Sequence, residues 1–321
     1  MSKIVVIGAT GHIGTYLVPR LALAGHQVVA VSRGKAEPYQ ASGTWPSVQK
    51  LTLDRESEEA AGRFGSAIAD LDADIVVDLI CFTRKSSDQL ADALQGRISH
   101  LIHIGTIWTH GASAVVPTLE SALKAPFGEY GVAKAEIEAD LLRRAHREGF
   151  PVSIVHPGHI VGPGWAPLNP AGHFNPQVFS RIAAGETLAL PNFGLETVHH
   201  VHADDVAQMI GRVIENRPLA LGESFHAVSD AALTLRGYAE AMFAWFGKAP
   251  SLSFAPFEEW AASQNPKEAD ATREHISRSP NCSIEKGRRL LGYAPRYTSL
   301  EAVHKAVTWL IASGQVVAPA A

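Results

Sequence analysis

Short runs of apolar, often β-branched residues alternate with longer mixed segments along the first half of the chain. The runs that have the length of a strand lie at 3–7, 27–32, 47–53, 74–80, 100–104 and 152–156. Nearly continuous apolar strands are typical of a parallel sheet that is covered on both faces. The mixed segments predict helices from the first glycines to Gly25, over 86–94 and over 127–148. This alternation predicts an α/β fold with a doubly wound parallel sheet.

A glycine-rich segment follows the first strand and opens the first helix. Its glycines are spaced by three, which suits a tight turn at Gly8, close approach of a pyrophosphate at Gly11 and close helix–strand packing at Gly14. The free N–H groups of a helix N-terminus attract phosphate. The segment therefore predicts dinucleotide binding, although a glycine-rich turn in an ordinary α/β protein is the alternative. The residues expected at the cofactor here are Gly8, Thr10, Gly11, His12, Ile13 and Gly14.

The end of the second strand favours one of the two nicotinamide dinucleotides. An acidic residue at this place binds the ribose 2′-hydroxyl of NAD, whereas an arginine accommodates the 2′-phosphate of NADP. The chain has Ser32 and Arg33 here and no acid. We therefore favour NADP, with NAD possible if Arg33 stacks on the adenine instead.

The predicted domain organisation follows from a change in the sequence pattern after Pro157. Residues 157–176 are rich in proline and glycine, and later segments lack the simple alternation. We predict a dinucleotide-binding Rossmann domain over 1–160, with a return segment near 198–228. A smaller C-terminal substrate-binding lobe is expected over 161–315, followed by a tail at 316–321 that frays.

Composition restricts the class of protein. Hydrophobic residues make up 46% and charged residues 19% of the 321 residues, which is typical of a globular chain. The net charge of −4 lacks the excess of basic residues that is typical of a nucleic-acid-binding protein. Cys81 and Cys282 lie far apart and predict free thiols in a reducing compartment. Neither a signal peptide nor an apolar run of membrane-spanning length is apparent, so we expect a cytoplasmic protein without membrane contact.

A tyrosine and a lysine in the helix after the fifth strand are the candidate catalytic pair. Tyr130 and Lys134 are four residues apart and share one helix face. A free tyrosine, with a pKa of about 10, is a poor base at neutral pH. A nearby lysine cation would favour the phenolate. Thr106 follows the fifth strand and could hold the substrate oxygen while Tyr130 exchanges its proton.

These motifs together resemble a known family. The glycine turn, His103–Thr106, Tyr130–Lys134, His156–Gly164, His202–Ala207 and Leu290–Pro295 are similar to motifs of the extended (atypical) short-chain dehydrogenase/reductases, the NAD(P)-dependent epimerase/dehydratase family. The resemblance implies that Lys134 binds the nicotinamide ribose and that Asp54 meets the adenine amino group. It also places Leu79, Ile80, Cys81 and Pro157 along the cofactor.

Departures from the family pattern restrict the reaction. Ile107 and Trp108 follow Thr106 where dehydratases of the family carry acids, so a dehydratase is not expected. Val198 stands where nucleotide-sugar enzymes typically carry a diphosphate-binding arginine, and His159 replaces a sugar-loop asparagine. We therefore do not expect a UDP-sugar substrate, unless another cation such as Arg181 or Arg236 supplies the anchor.

Several polar and aromatic side chains remain for a small substrate. The residues assigned to its pocket are Trp108, His110, His159, Trp165 and His173. Histidines between 156 and 202 do not follow a zinc-binding spacing, so no metal is expected.

The predicted function is hydride transfer at a secondary alcohol or ketone carbon of a small polyhydroxylated, sugar-like substrate, as an epimerase or as a dehydrogenase/reductase. The alternatives are an NADP-dependent reductase of a non-sugar carbonyl compound, and a redox-inactive dinucleotide-sensing or RNA-associated protein. By family analogy, the helices 86–94 and 127–148 could pair in a homodimer.

Overall fold

The structure is a computed structural model that describes residues 1–318. Its strands are β1 Lys3–Ile7, β2 Gln27–Ser32, β3 Gln49–Thr52, β4 Ile75–Asp78, β5 His100–Ile104, β6 Val152–Pro157, β7 His159–Val161, β8 Leu188–Pro191, β9 Thr197–Val198, β10 His200–His202, β11 Ser224–Ala227, β12 Leu233–Thr234 and β13 Leu252–Ala255.

The helices cover both faces of the sheet and make up much of the C-terminal half of the chain. They are α1 Gly14–Leu23, α2 Arg55–Ala60, α3 Phe64–Ala69, α4 Arg84–Leu94, α5 Glu129–Glu148, α6 Gln177–Ala184, α7 Ala203–Glu215, α8 Arg217–Ala220, α9 Leu235–Trp245, α10 Phe257–Ala262, α11 Pro266–Ile276, α12 Glu285–Leu291 and α13 Ser299–Ala312. Short 3₁₀ segments lie at Trp45–Ser47 and Ile107–His110.

The central sheet has seven parallel strands in the order β11-β6-β5-β4-β1-β2-β3. The predicted doubly wound parallel sheet is therefore confirmed. The strand order reverses between β1 and β4, and ligands of such sheets bind beyond the carboxyl ends of the strands at this point. The last strand, β11, returns to the sheet from the second half of the chain and lies beside β6.

Alternate residues of β1 pack into different cores. Ile4 and Val6 face a core that includes α1 and α7, whereas Val5 and Ile7 face a core that includes α3, α4 and α5. Both faces of the strand are thus apolar, which explains why its sequence shows no polar alternation. A further core lies in the C-terminal half, around Phe179, Tyr238 and α13.

Several element boundaries differ from the sequence expectations. The helix expected over 127–148 begins at Glu129, because Gly128 has a φ of +72° and is not helical. Helices α2 and α3 were not predicted, since α2 reads Arg-Glu-Ser-Glu-Glu-Ala and shows no apolar periodicity. Val316, expected in a fraying tail, is 2% exposed within the C-terminal core. The rest of that predicted tail, from residue 319, lies outside the described residues.

Within residues 1–318, no helix is long and apolar enough to cross a membrane. The homodimer through α4 and α5 stays a prediction.

Candidate active site

The glycine segment forms a tight turn between β1 and α1. The N–H groups of Gly8 and Ala9 both donate to the carbonyl of Val31, at 3.0 and 3.1 Å, so the turn is tied to the end of β2. Gly8 has a φ of +85°, a conformation that favours glycine. A Cβ at Gly14 would lie 2.2 Å from the Ala9 carbonyl oxygen. The start of α1 therefore packs directly on the turn, and only glycine fits at this place.

Two adjoining cavities lie along the carboxyl edge of the sheet. The outer cavity has a volume of about 760 Å³ and the inner cavity about 430 Å³. Both are lined by Gly8, Gly11, Ile80, Phe82 and Trp165. The glycine turn thus lies where the two cavities meet, which is the position that a dinucleotide requires for its diphosphate.

The predicted cofactor residues divide between these cavities. Thr10, Ser32, Arg33 and Asp54 line the outer cavity, and His12, Ile13, Leu79, Lys134 and Pro157 line the inner one. Gly14 and Cys81 line neither. Gly14 is packed against Ala9, and Cys81 is 1% exposed, with its sulfur 3.7 Å from the carbonyl oxygen of Thr83. Gly14 therefore has a clear packing role, and the contacts of Gly14 and Cys81 with the cofactor stay predictions.

Cations and carboxylates share the wall of the outer cavity. Arg33 and Lys85 are exposed and take part in no ion pair within residues 1–318. Asp54 caps α2 by accepting the Glu56 N–H at 3.1 Å. Lys85, at the start of α4, was not singled out in the sequence. The topology alone could have indicated it, because α4 begins just after the end of β4.

Tyr130, Lys134 and Thr106 meet at the inner cavity, which all three line. The Lys134 ammonium donates to the carbonyl oxygens of Cys81 and Ile104, at 2.6 and 2.7 Å. Its nitrogen lies 5.9 Å from the centre of the Tyr130 ring. The ammonium therefore ties α5 to the ends of β4 and β5.

The proton state of this pair differs from the sequence expectation. Desolvation raises the pKa of Tyr130, and the Thr106 hydroxyl offsets this only in part. Burial also lowers the pKa of Lys134 to about 8. The groups that shift this pKa are the surroundings that desolvate the ring and Thr106, while the Lys134 ammonium donates to two carbonyl oxygens. The tyrosine is a neutral phenol at pH 7, which suits a group that gives a proton to a developing alkoxide.

Aromatic side chains form much of the remaining wall of the inner cavity. Trp108 lies edge-on to Tyr130, with ring centres 5.7 Å apart, and Phe174 lines the same cavity. Behind Trp108, the Arg278 guanidinium carbon is 3.7 Å from the centre of the indole ring. Lys134 is the one formally charged side chain among the described residues that line this cavity. Burial lowers the pKa of His159, so this lining histidine is neutral.

The predicted substrate residues are only partly brought together. Trp108, His159 and Trp165 line the inner cavity, but His110 and His173 do not. His110 is 4% exposed, and its Nε2 lies 2.8 Å from Nε2 of His226 on β11. His173 is 2% exposed and contacts Asn169 in its own loop. His110 is held by a partner that is distant along the chain, whereas His173 is held within its own loop. Phe82 and Phe174 are the aromatic lining residues that sequence reasoning missed.

The residues considered as a diphosphate anchor also lie outside the two cavities. Val198 is fully buried in the C-terminal core. Arg181 pairs with Glu186 and Arg236 pairs with Glu240, and neither arginine lines either cavity.

One cluster of possible metal ligands lies beneath the site. Atoms of Asp78, Cys81 and His103 are within 4.8 Å of one another. Asp78 is paired with Arg55 at 2.7 Å, and burial raises the pKa of Cys81 to about 12. A protonated thiol and a carboxylate that is already paired make a poor ligand set. Within residues 1–318, the histidines between 156 and 202 form no such cluster.

The fold is the Rossmann-type sheet of dinucleotide-dependent enzymes, with the glycine turn at the carboxyl end of β1. The model of the NAD dependent epimerase/dehydratase family matches residues 4–225. The chain therefore belongs to this family, and the resemblance noted in its motifs is confirmed.

Individual relatives are distant. A 2′-dehydrokanamycin reductase from Streptomyces kanamyceticus is 26% identical over 82% of this chain and 71% of its own length. The chloroplast stem-loop binding protein of 41 kDa b from Arabidopsis thaliana is 24% identical over 93% of this chain and 76% of its own. The dTDP-glucose 4,6-dehydratase from Bacillus anthracis, solved with NAD, has a TM-score of 0.76 at 16% identity, covering 98% of both chains. The last likeness shows the shared fold.

Proposed function

We propose that this protein is an NADP-dependent reductase that converts a ketone on a small, uncharged, sugar-like ring into a secondary alcohol. The observation that carries this proposal is the inner cavity. It holds the Tyr130 and Thr106 side chains beside the glycine turn and is walled by aromatic side chains with no carboxylate. When bound, the reduced nicotinamide supplies the hydride.

The residues of the inner cavity have distinct roles in this proposal. The Thr106 hydroxyl holds the carbonyl oxygen of the substrate, and Tyr130 Oη gives its proton to that oxygen as negative charge develops. The raised pKa of Tyr130 keeps this proton in place until then. Lys134 holds the ends of β4 and β5 and binds the nicotinamide ribose. In the reverse direction the same tyrosine would have to lose its proton first, which its raised pKa opposes.

The outer cavity supports the choice of NADP. Arg33 and Lys85 both line it, and neither is neutralised by a neighbouring carboxylate in the described part of the chain. A ribose 2′-phosphate is a dianion that suits the Arg33 guanidinium at the end of β2, and Lys85 adds a second positive charge to the wall of the same cavity. NAD offers no charge at this place.

The neutral wall of the inner cavity supports a substrate without a nucleotide diphosphate. A diphosphate placed against Trp108 and Phe174 would lose its hydration, and the one cation that lines this cavity, Lys134, already donates to two carbonyl oxygens. A sugar ring, in contrast, can lay its C–H face on an indole and keep its hydroxyls solvated. Among the relatives, the name 2′-dehydrokanamycin reductase contains no nucleotide, whereas the name dTDP-4-dehydro-6-deoxy-D-allose reductase does.

The experiment combines cofactor identification with a substrate screen. Dinucleotide that copurifies with the protein is released and identified, and NADPH oxidation is then followed with ketones of free sugars, sugar lactones and aminoglycosides. UDP- and dTDP-linked keto sugars serve as the matched comparison. We expect an exchangeable cofactor and turnover of unlinked ketones. Selectivity for nucleotide-linked sugars over every unlinked one would refute the substrate class.

The same experiment separates reduction from epimerisation. An epimerase retains its dinucleotide through the catalytic cycle and changes the substrate without net oxidation of NADPH. A stoichiometric, tightly held cofactor together with isomerised product would therefore show that the protein acts as an epimerase and not as a reductase.

The Arabidopsis relative favours one further candidate, an RNA-associated role. The net charge of −4 argues against it, because RNA binding draws on basic surface. Titration with a labelled RNA stem-loop at low and moderate salt decides between the two, and tight, salt-sensitive binding without any ketone reduction would favour the RNA role.

A further inference from the structure

A buried histidine and a buried glutamate lie directly behind Thr106. His156, at the end of β6, is fully buried, and Glu138, on α5, is 1% exposed. The Thr106 N–H donates to His156 Nδ1 at 2.9 Å, and His156 Nε2 lies 2.9 Å from Glu138 Oε1. The mechanism proposed above uses neither of these side chains.

The hydrogen bonds determine the protonation of the imidazole. Because Nδ1 accepts from the Thr106 N–H, it carries no proton. The ring proton is therefore on Nε2 and is donated to Glu138. Burial acts to raise the pKa of Glu138, but His156 and Lys124 outweigh it and hold that pKa well below its ordinary value. The carboxylate is thus ionised and orients the ring.

His156 and Glu138 belong to a continuous series of contacts between α5 and the end of β5. Tyr130, Lys134 and Glu138 follow one another at intervals of four residues on α5. Lys134 holds the carbonyl of Ile104, and the N–H of Gly105 donates to the Val155 carbonyl at 2.8 Å. The residue that follows, Thr106, is then held through its N–H by His156.

Close packing against His156 restricts the backbone position at the end of β5. A Cβ at Gly105 would lie 2.4 Å from His156 Nδ1, so the imidazole rests on the bare backbone of Gly105. Displacement of the ring would release the Thr106 amide, and the direction of the Thr106 hydroxyl depends on that backbone.

We propose that His156 and Glu138 form a positioning dyad, which holds the Thr106 backbone so that the Thr106 hydroxyl meets the substrate oxygen beside Tyr130. The inference deepens the proposed reductase function and rests on it. The dyad does not touch the substrate, and its effect passes entirely through Thr106.

The test compares His156→Leu, which removes the acceptor, with His156→Asn, whose amide oxygen can occupy the place of Nδ1. We expect His156→Leu to lower kcat by about 10²-fold, the effect of a misplacement of about 1 Å, with an unchanged Kd for NADPH. His156→Asn should recover most of this loss. His100→Leu, which removes an equally buried histidine at the other end of β5, is the matched control and should keep kcat.

A double-mutant cycle distinguishes positioning from general damage. In a Thr106→Ala background, His156→Leu should have no further effect on kcat, because its target is already absent. Additive losses would overturn the proposal. Glu138→Gln, which keeps an acceptor for Nε2–H, provides a milder variant if His156→Leu fails to fold.

Hydrogen exchange of the Thr106 amide gives a readout that needs no substrate. We expect this amide to exchange at least about tenfold faster in His156→Leu and at the wild-type rate in His100→Leu. Unchanged exchange would overturn the dyad. If the wild-type protein reduces no ketone, the proposed function fails, and the exchange measurement still decides on the dyad.

Discussion

Replacement of Arg33 by alanine tests the choice of cofactor most directly. Arg33 follows β2 and lines the outer cavity together with Lys85. The 2′-phosphate distinguishes NADP from NAD, so the substitution should weaken NADP and leave NAD almost unchanged.

The magnitude follows from the exposure of the side chain. A hydrogen bond to a charged group contributes about 1.5–3 kcal/mol. Arg33 is exposed, and Lys85 would keep part of the charge in the variant, so the lower end of this range applies. We expect the Kd for NADP to rise about tenfold, since about 1.4 kcal/mol corresponds to a factor of ten.

The assay is a fluorescence or calorimetric titration of both dinucleotides against wild type, Arg33→Ala and Lys85→Ala. The NADP affinity of the wild type should fall with added salt more steeply than its NAD affinity, because an exposed pair of cations is screened. Equal weakening of the two cofactors in Arg33→Ala would show that the arginine stacks on adenine instead. Tighter binding of NAD than of NADP by the wild type would remove the NADP assignment altogether.

Three further predictions concern the inner cavity and the turn. Tyr130→Phe should lower turnover by about 10²–10⁴-fold while cofactor affinity stays nearly intact, since the ring still packs but has no proton to give; wild-type rates in this variant would refute the mechanism. Lys134 has a pKa lowered to about 8 by burial, so between pH 8 and its ordinary value of 10.5 the unfolded chain holds a proton that the folded protein releases. The free energy of unfolding should therefore rise with pH across this window, and Lys134→Met should abolish the rise in urea titrations at several pH values. Gly14→Ala should destabilise the fold severely, because its Cβ would meet the Ala9 carbonyl oxygen at 2.2 Å; an unchanged Tm would contradict this packing argument.

The substitution of Lys134 also tests its two proposed roles, which are to hold the strand ends and to bind the nicotinamide ribose. Its ammonium ties together the ends of β4 and β5, so Lys134→Met should weaken cofactor binding as well as turnover. Tyr130→Phe is the matched comparison, because it alters only the proton donor on the same helix face.

Local patterns in the sequence predicted six of the seven strands of the sheet, and the seventh, β11, lay only within an expected return segment. The strands 27–32 and 100–104 have their predicted bounds, because aliphatic residues dominate the interior of a parallel sheet; His100 and His103 are buried polar exceptions in the second of these strands. The glycine turn could also be predicted from the sequence, since its conformation and close packing exclude other residues. Tyr130, Lys134 and Thr106 meet at one cavity because parallel topology brings the ends of successive strands to one edge.

The tertiary structure decided which of the neighbouring side chains reach that cavity. Trp108 and His110 are two residues apart, yet Trp108 lines the cavity and His110 turns inward to His226, which lies far along the chain on β11. The proton state of Tyr130 was likewise beyond local reasoning. It depends on how far the surrounding segments desolvate the phenol and on the Thr106 hydroxyl, and spacing within a helix determines neither of these. Sequence periodicity specifies the face on which a residue lies, whereas its partner across that face depends on contacts between segments that are distant along the chain.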